Sequence, residues 1–365
     1  MSSEHSPLRL TEWTSCGGCA AKWGASLLAD LVAEFPAPAD DSLLIGLAPF
    51  DDAAVYRVSD RLALVSTTDF FPPLVDDPSD FGAIAAANAC SDIFAMGAQV
   101  VMAVNVAAFP EHFPHDAIAE IFAAGAAVVA EAGGTVAGGH TIRNPEPIYG
   151  LAVQGVVDPD RALRKSGARP GDVAVLSKPI GTGLALASGS EDDRAAAIAG
   201  MRTINRVAAE RLVGAGDAVG GATDVTGYGL AGHGWEMAER SGLRLVVDTS
   251  GLRAYPGALE AAERGARTGG DPRNRDYVAG ALDSSAESGP EALCFDPQTS
   301  GGLLAAVTPD LADDLVASFD DLAARWRMLS VFPGCFDRAA AAAVWDVPAA
   351  QARDDLSLLV ARSMV

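Results

Sequence analysis

Lysine is nearly absent from this chain: Lys22, Lys165 and Lys178 are all that it has. Other basic residues are arginine, so each lysine marks a choice of a compact, mobile ammonium over a planar fork. Positive charge is scarce overall. Twenty-six basic residues face 48 acids, a formal net charge of −22 over 365 residues. That balance argues against non-specific binding to nucleic acid or to an anionic membrane. Cysteine is sparse as well: five in a long chain do not make a disulfide framework, and the expected setting is cytoplasmic. No Gly-Lys pair occurs, which excludes a Walker A phosphate loop. Met1 to Leu10 lack the apolar centre of a secretory signal. The charge-free stretch Ile93–Pro110 carries Gln99 and Asn105 and has a β-like character, so it reads as buried core and not as a membrane span.

What is present is an ordinary globular composition, 49% hydrophobic and 20% charged, on a chain long enough for two domains. Residues 1–21, rich in Ser, Thr and Gly, are expected to form a flexible arm, with residues 22–158 and 159–365 as the two domains. A helix is expected over Trp23–Phe35 from the spacing of Leu27, Leu28, Leu31, Val32 and Phe35. Strands are expected at Leu43–Leu47, Ala53–Val58, Leu62–Thr67, Val100–Ala107 and Ile148–Val157, with helices at Ser79–Met96 and His115–Ala132. The first of these helices is apolar nearly all round and should be buried, capped by Ser79 or Asp80. Its polar exceptions include Asn88 and Asp92, neighbours on one face that need partners. The second half repeats the mixture: strands at Val173–Leu176, Leu243–Val247 and Leu303–Val307, helices at Asp193–Val213 and Leu230–Arg240, and an irregular loop over Arg264–Ser288. Intermixed strands and helices predict an α/β or α+β fold.

Three constellations carry chemistry. Cys16-Gly17-Gly18-Cys19 fits a dithiol redox pair, half of a zinc site, or two incidental surface cysteines. Lys22, three residues on, favours a reactive thiolate. Asp51, Asp52, Asp69, Asp92 and Asp224 lie in or beside apolar runs, where unpaired carboxylates are costly. Singly each fits a cap or a turn; together they fit Mg²⁺, a hard cation that takes oxygen ligands and bridges to phosphates. Glycine-rich turns at Gly138-Gly139-His140, Gly181-Thr182-Gly183 and Thr299-Ser300-Gly301-Gly302 can cradle phosphates or simply turn the chain. Gly227-Tyr228-Gly229-Leu230-Ala231-Gly232 imitates a dinucleotide fingerprint, but the glycine-rich Asp217–Ala222 before it does not read as a strand. His233 reads as structural, whereas His140 could border a ligand.

Taken together, these segments resemble the selenophosphate synthetase (selenide, water dikinase) family. That family lies in the superfamily of aminoimidazole ribonucleotide synthetase and thiamine-monophosphate kinase. The resemblance rests on Cys19-Ala20-Ala21-Lys22, Asp51-Asp52-Ala53-Ala54-Val55-Tyr56, Ser66-Thr67-Thr68-Asp69-Phe70-Phe71 and Asn88-Ala89-Cys90-Ser91-Asp92. It continues through Ala137-Gly138-Gly139-His140, Thr223-Asp224-Val225-Thr226-Gly227 and Asp296-Pro297-Gln298-Thr299-Ser300-Gly301-Gly302. It implies a two-domain α/β fold and a homodimer with a joint N-terminal β-barrel. It also implies ATP as substrate with Mg²⁺ and K⁺, and conversion of ATP, selenide and water to selenophosphate, AMP and orthophosphate. Carried over by motif, Cys19 and Lys22 would be catalytic and Asp52, Asp92 and Asp224 would hold the metal. Lys22, Pro49, Phe50, Asp51, Asp69, Asp92, Gly138, Gly139 and His140 would contact the nucleotide. A selenium-delivery protein is a possible further partner. Where family members often carry a second cysteine directly before the lysine, this chain has Ala21, and Cys16 is expected to be dispensable.

Overall fold

The structure is a computed structural model describing residues 8–23, 31–32, 40–47, 50–318 and 327–332. Most of the expected Trp23–Phe35 helix and Pro49 lie outside the described residues; Leu31 and Val32, which are described, are helical. Each half of the chain is built on one sheet. The first comprises β1 (Leu43–Ile45), β2 (Ala54–Ser59), β3 (Leu62–Phe71), β4 (Gln99–Phe109), β5 (Thr135–Arg143) and β6 (Ile148–Val157). Its order is β1-β2-β3-β6-β4-β5, all antiparallel except the β4–β5 pair, and it is open, with β1 and β5 as edges.

Two helices, α1 (Pro78–Ala95) and α2 (His115–Glu131), cover one face of this sheet. The other face leaves Tyr56, Leu62, Leu64, Phe70, Val101 and Ile142 exposed. α1 starts one residue earlier than the sequence suggested, and its cap lies two residues before Ser79. Asp77 is its cap, accepting from the Asp80 amide at 2.8 Å, and Pro78 takes the first helical position, where its missing N–H costs nothing. The helix buries 14 of its 18 residues because it is sandwiched between the two halves, touching α2 and β6 on one side and the second domain on the other. Gly82 permits close approach to α2, because a Cβ there would sit 2.2 Å from the Ile121 carbonyl oxygen.

The second half contains β7 (Val173–Leu176), α3 (Thr182–Ser188), α4 (Glu191–Arg202), α5 (Arg206–Ala215), β8 (Val219–Asp224), α6 (Gly229–Ser241), β9 (Arg244–Val246) and α7 (Ala258–Glu263). It continues with α8 (Asp271–Val278), α9 (Ser288–Phe295), β10 (Leu303–Val307), α10 (Pro309–Ser318) and β11 (Arg327–Phe332). The strands form a sheet of order β8-β10-β7-β11-β9, antiparallel throughout. Three expectations change here. The helix expected over Asp193–Val213 is two, broken at Thr203–Asn205, and the loop expected over Arg264–Ser288 contains α8.

The third change is that the glycine-rich run expected not to be a strand is β8. Its glycines serve close approach: a Cβ at Gly221 would lie 3.1 Å from the carbonyl oxygens of Arg164 and Lys165, and Arg164 O accepts the Ala222 amide at 2.8 Å. This does not restore the dinucleotide reading. That fold needs parallel strands side by side around the helix, whereas β8 and β9 stand at opposite edges of an antiparallel sheet.

Candidate active site

Three backbone segments bring acids together where the two domains meet. Asp52 lies just before β2, Asp92 on α1 and Asp224 at the end of β8. One carboxylate oxygen from each lies within 4.8 Å of the others. Asp224 is buried and Asp52 and Asp92 are half-buried, with incomplete hydrogen bonding among them. Thr67 Oγ1 donates to Asp92 at 2.6 Å and Thr223 Oγ1 to Asp52 at 2.9 Å, but Asp52 Oδ2 and Asp224 Oδ2 have no partner. Burial, then the neighbouring charges of Asp224, Asp69 and Asp52, raises the Asp92 carboxyl well above the usual range. Burial does the same to Asp52, against the opposing pull of Lys165. Unsatisfied, crowded, buried oxygens of this kind fit a hard divalent cation.

The thiol segment comes next. Residues 8–23 lie against both domains, with Leu10 and Cys19 buried. The Gly18 amide donates to Pro72 O at 3.0 Å, the Cys19 amide to Thr299 Oγ1 at 3.0 Å, and Arg273 donates to Ala20 O. Lys22 Nζ pairs with Asp69 Oδ2 at 2.7 Å. Asp69 lies inside β3, which runs on to Phe71 past the expected end. Asn88, on the same face of α1 as Asp92, ties these pieces together. Its Nδ2 donates to Asp69 Oδ2 at 2.7 Å, and its Oδ1 accepts from the Ser300 amide at 2.8 Å and from Cys19 Sγ at 3.4 Å.

Lys22 does not make Cys19 a thiolate in this arrangement. Burial pushes the thiol up to about 12; the Lys22 ammonium pulls it down and Asp69, paired with that lysine, pushes it up, but burial outweighs both. Cys16 is exposed. Iodoacetamide at pH 8 is therefore expected to alkylate Cys16 readily and Cys19 about a thousandfold more slowly than an ordinary thiol, the factor for a rise from 9.0 to about 12. Peptide mass spectrometry separates the two cysteines; equal rates would contradict the burial.

The other two lysines, Lys165 and Lys178, both sit beside this site. Lys165 bridges Asp52 Oδ1 and Glu236 Oε2, both at 2.9 Å, and its backbone amide reaches Asp51 Oδ2 at 3.0 Å. Burial opposes its charge, but Asp52 and Glu236 outweigh that and hold it protonated. Phe50 lies nearby, its ring 4.1 Å from the Arg240 guanidinium and 5.6 Å from Lys165 Nζ. The rarity of lysine was the one signal that could have found Lys165; nothing local marked Glu236.

Two glycine segments differ from their expected form. Gly138-Gly139-His140 is not a turn but part of the exposed edge strand β5, where a Cβ at Gly139 would lie 2.5 Å from Asn105 O. Among the described residues no hydrogen bond or ion pair joins it to the acid cluster. The amides of Gly181 and Thr182 are taken by Gln298 Oε1 and those of Gly183 and Leu184 by Asp296 Oδ2, so this segment offers no free phosphate cradle. His233 is structural as expected, buried against Thr226 and Glu236. A cavity of about 400 Å³ beside Trp235, Leu245 and Phe295 is lined by none of the clustered acids.

Residues 50–157 match the AIR synthase related protein N-terminal domain, and residues 169–326 the C-terminal domain. The selenide, water dikinase of Caldanaerobacter subterraneus is 42% identical over 314 residues, covering 84% of this chain and 90% of that protein. That of Paraburkholderia xenovorans is 45% identical over 323 residues, covering 85% and 90%. In three dimensions the chain is similar to a thiamine-monophosphate kinase from Stenotrophomonas maltophilia, with a TM-score of 0.57 at 21% identity over 86% of this chain and 95% of that one. This last likeness speaks to the two-domain α/β fold alone. With family domains spanning both halves and relatives above 40% identity across most of its length, the chain belongs to the selenide, water dikinase family, among the AIR synthase related proteins.

Proposed function

We propose that this chain converts ATP, selenide and water to selenophosphate, AMP and orthophosphate, supplying activated selenium for selenocysteine and selenouridine synthesis. The observation that carries the reading is the meeting of three clustered, water-poor carboxylates with a lysine–thiol segment on a chain of this family. Asp52, Asp92 and Asp224 would hold Mg²⁺, and the unpartnered oxygens of Asp52 and Asp224 support that assignment. When bound, Mg²⁺ neutralises phosphate charge, which reconciles a protein of net charge −22 with a polyanionic substrate. K⁺ is a further expected requirement. Pro49, Phe50, Asp51, Asp69, Asp92 and Gly138–His140 are assigned to the nucleotide.

Phosphoryl transfer depends chiefly on positioning and on charge neutralisation. Lys22 is the mobile cation, exchanging Asp69 for phosphate oxygens when ATP enters. Cys19 closes the site from above the acids and excludes water from the first transfer. Its burial keeps it a neutral thiol until the segment moves. Residues 1–21 act as the catalytic arm, 22–158 as the ATP/Mg domain and 159–365 as the C-terminal α/β domain. Free cysteines at 16, 19, 90 and 294 suit a reducing, cytoplasmic setting. A selenium-delivery protein would hand selenide to the arm.

The test is anaerobic incubation with ATP, Mg²⁺ and selenide, followed by phosphorus NMR. A selenophosphate signal with stoichiometric AMP is expected; ADP alone, or turnover indifferent to selenide, sinks the reading.

Two copies would join their first sheets into a barrel. The exposed Tyr56, Leu64, Phe70 and Val101 support this, since open apolar sheet faces seek cover. Leu64→Asp is expected to convert a dimer to a monomer in analytical ultracentrifugation. An unchanged sedimentation coefficient would place the interface elsewhere.

A further inference from the structure

Lys178 is a buried lysine for which the chemistry above has no use. It follows β7, is 6% exposed, and spends its donors on main-chain carbonyls: Thr203 O and, at 2.8 Å, Ser300 O. Burying a lysine against carbonyls in place of a carboxylate is costly. Something in the turn it holds must need that contact.

The turn is Thr299-Ser300-Gly301-Gly302. Ser300 is the only non-glycine residue among those described with a positive φ, at 49°. Left-handed backbone of this kind persists only where the surroundings over-determine it. Here they do. Asn88 Oδ1 accepts the Ser300 amide at 2.8 Å, Lys178 grips its carbonyl, and Asn205 Nδ2 donates to Gly301 O at 2.8 Å. Glycine is required next, since a Cβ at position 301 would lie 1.9 Å from Val225 O. The serine hydroxyl itself has no partner, so the residue is held by its backbone.

What the turn presents is the seat of the thiol segment. Thr299 Oγ1 accepts the Cys19 amide, and the Asn88 oxygen that receives Ser300 also receives Cys19 Sγ. We propose that Lys178 is a positioning residue that locks Ser300 in its left-handed conformation and thereby fixes the seat on which Cys19 closes. Lys178 touches neither the thiol nor the clustered acids through a hydrogen bond; it acts through the turn. Its consequence for turnover rests on the arm reading proposed above, whereas its effect on Cys19 exposure does not.

The experiment therefore reads exposure first, by the rate of Cys19 alkylation in the full-length, ligand-free protein, with Cys16 in the same molecule as the internal standard. Lys178→Met is expected to speed Cys19 labelling about tenfold with the Cys16 rate unchanged. Adding Ser300→Gly should bring the rate back to within about threefold of wild type, because glycine adopts the left-handed conformation unaided. Ser300→Val, with Lys178 intact, should loosen Cys19 as Lys178→Met does, whereas Ser300→Ala should behave as wild type. The Ser300 pair keeps the test decisive if Lys178→Met does not fold. In turnover assays Lys178→Met should lower kcat and leave the KM for ATP within about twofold. Wild-type labelling of Cys19 in Lys178→Met or Ser300→Val, or losses that Ser300→Gly fails to rescue, would overturn the proposal. Accelerated labelling in a protein that makes no selenophosphate would instead uphold it and reject the assigned reaction.

Discussion

Asp92→Asn is expected to stabilise the metal-free protein while lowering turnover by at least about a hundredfold. The opposite signs come from one cause. Asp92 is half-buried beside Asp52, Asp69 and Asp224, and its carboxyl is raised well above the usual range by desolvation and by those charges. A carboxyl whose folded pKa exceeds its unfolded value favours folding below the unfolded pKa, near 3.8, and loses that advantage as pH rises through the folded one. The neutral asparagine has no proton to lose. The melting-temperature advantage of Asp92→Asn over wild type should therefore widen as pH rises above about 4. Mg²⁺ should reverse the order, stabilising wild type and leaving the variant nearly unmoved. Calorimetry across pH, with and without Mg²⁺, checks both signs without relying on activity. A variant less stable than wild type in the metal-free state at every pH would show that the cluster is not strained by its own charge.

The second large effect is at Lys22. Lys22→Arg keeps the charge and is nevertheless expected to reduce selenophosphate formation by about a thousandfold. The Lys22 ammonium reaches Asp69 Oδ2 at 2.7 Å in a position half closed to solvent. A guanidinium is wider and would take Asp69 bidentately, a pairing that it gives up reluctantly. The cation would then stay on the carboxylate when phosphate arrives. Lys22→Met should fail for a different reason, leaving Asp69, which is 7% exposed, with Asn88 but no cation. Arginine should be the more stable and methionine the less stable of two equally inactive proteins. Arginine activity within tenfold of wild type would remove the exchange of Asp69 for phosphate from the mechanism.

Much of the fold was legible because it rests on local pattern. The strand Ile148–Val157 has the predicted bounds, and α1 was expected to be buried because it has no polar face. What failed was set by tertiary neighbours. Glycine-rich β8 looks like no strand until the backbone of Arg164–Ser166 is laid against it. The break at Thr203–Asn205 interrupts no pattern, yet Asn205 is needed there to reach Ser91 and Gly301.

For the site, residue types in apolar surroundings pointed to Asp52, Asp92 and Asp224, which the fold brings together. A lysine three positions from Cys19 favours a thiolate, and Lys22 does pull that way, but burial of the thiol outweighs it, and Asp69, 47 positions from Lys22, adds to the rise. Lys165 and Glu236 were invisible as a pair because 71 positions separate them.

The bond from the Cys19 amide to Thr299 Oγ1 spans 280 positions of chain. At the ~5–20 residues per second of synthesis, Cys19 emerges roughly 15–55 s before the residue that receives it. Through that interval a nascent chain carries Cys19 uncovered, open to oxidants and to stray electrophiles. The lock that silences the thiol closes only on a chain complete through its second domain. Fragments released early, or chains stalled on the ribosome, should thus be singled out by thiol reactivity.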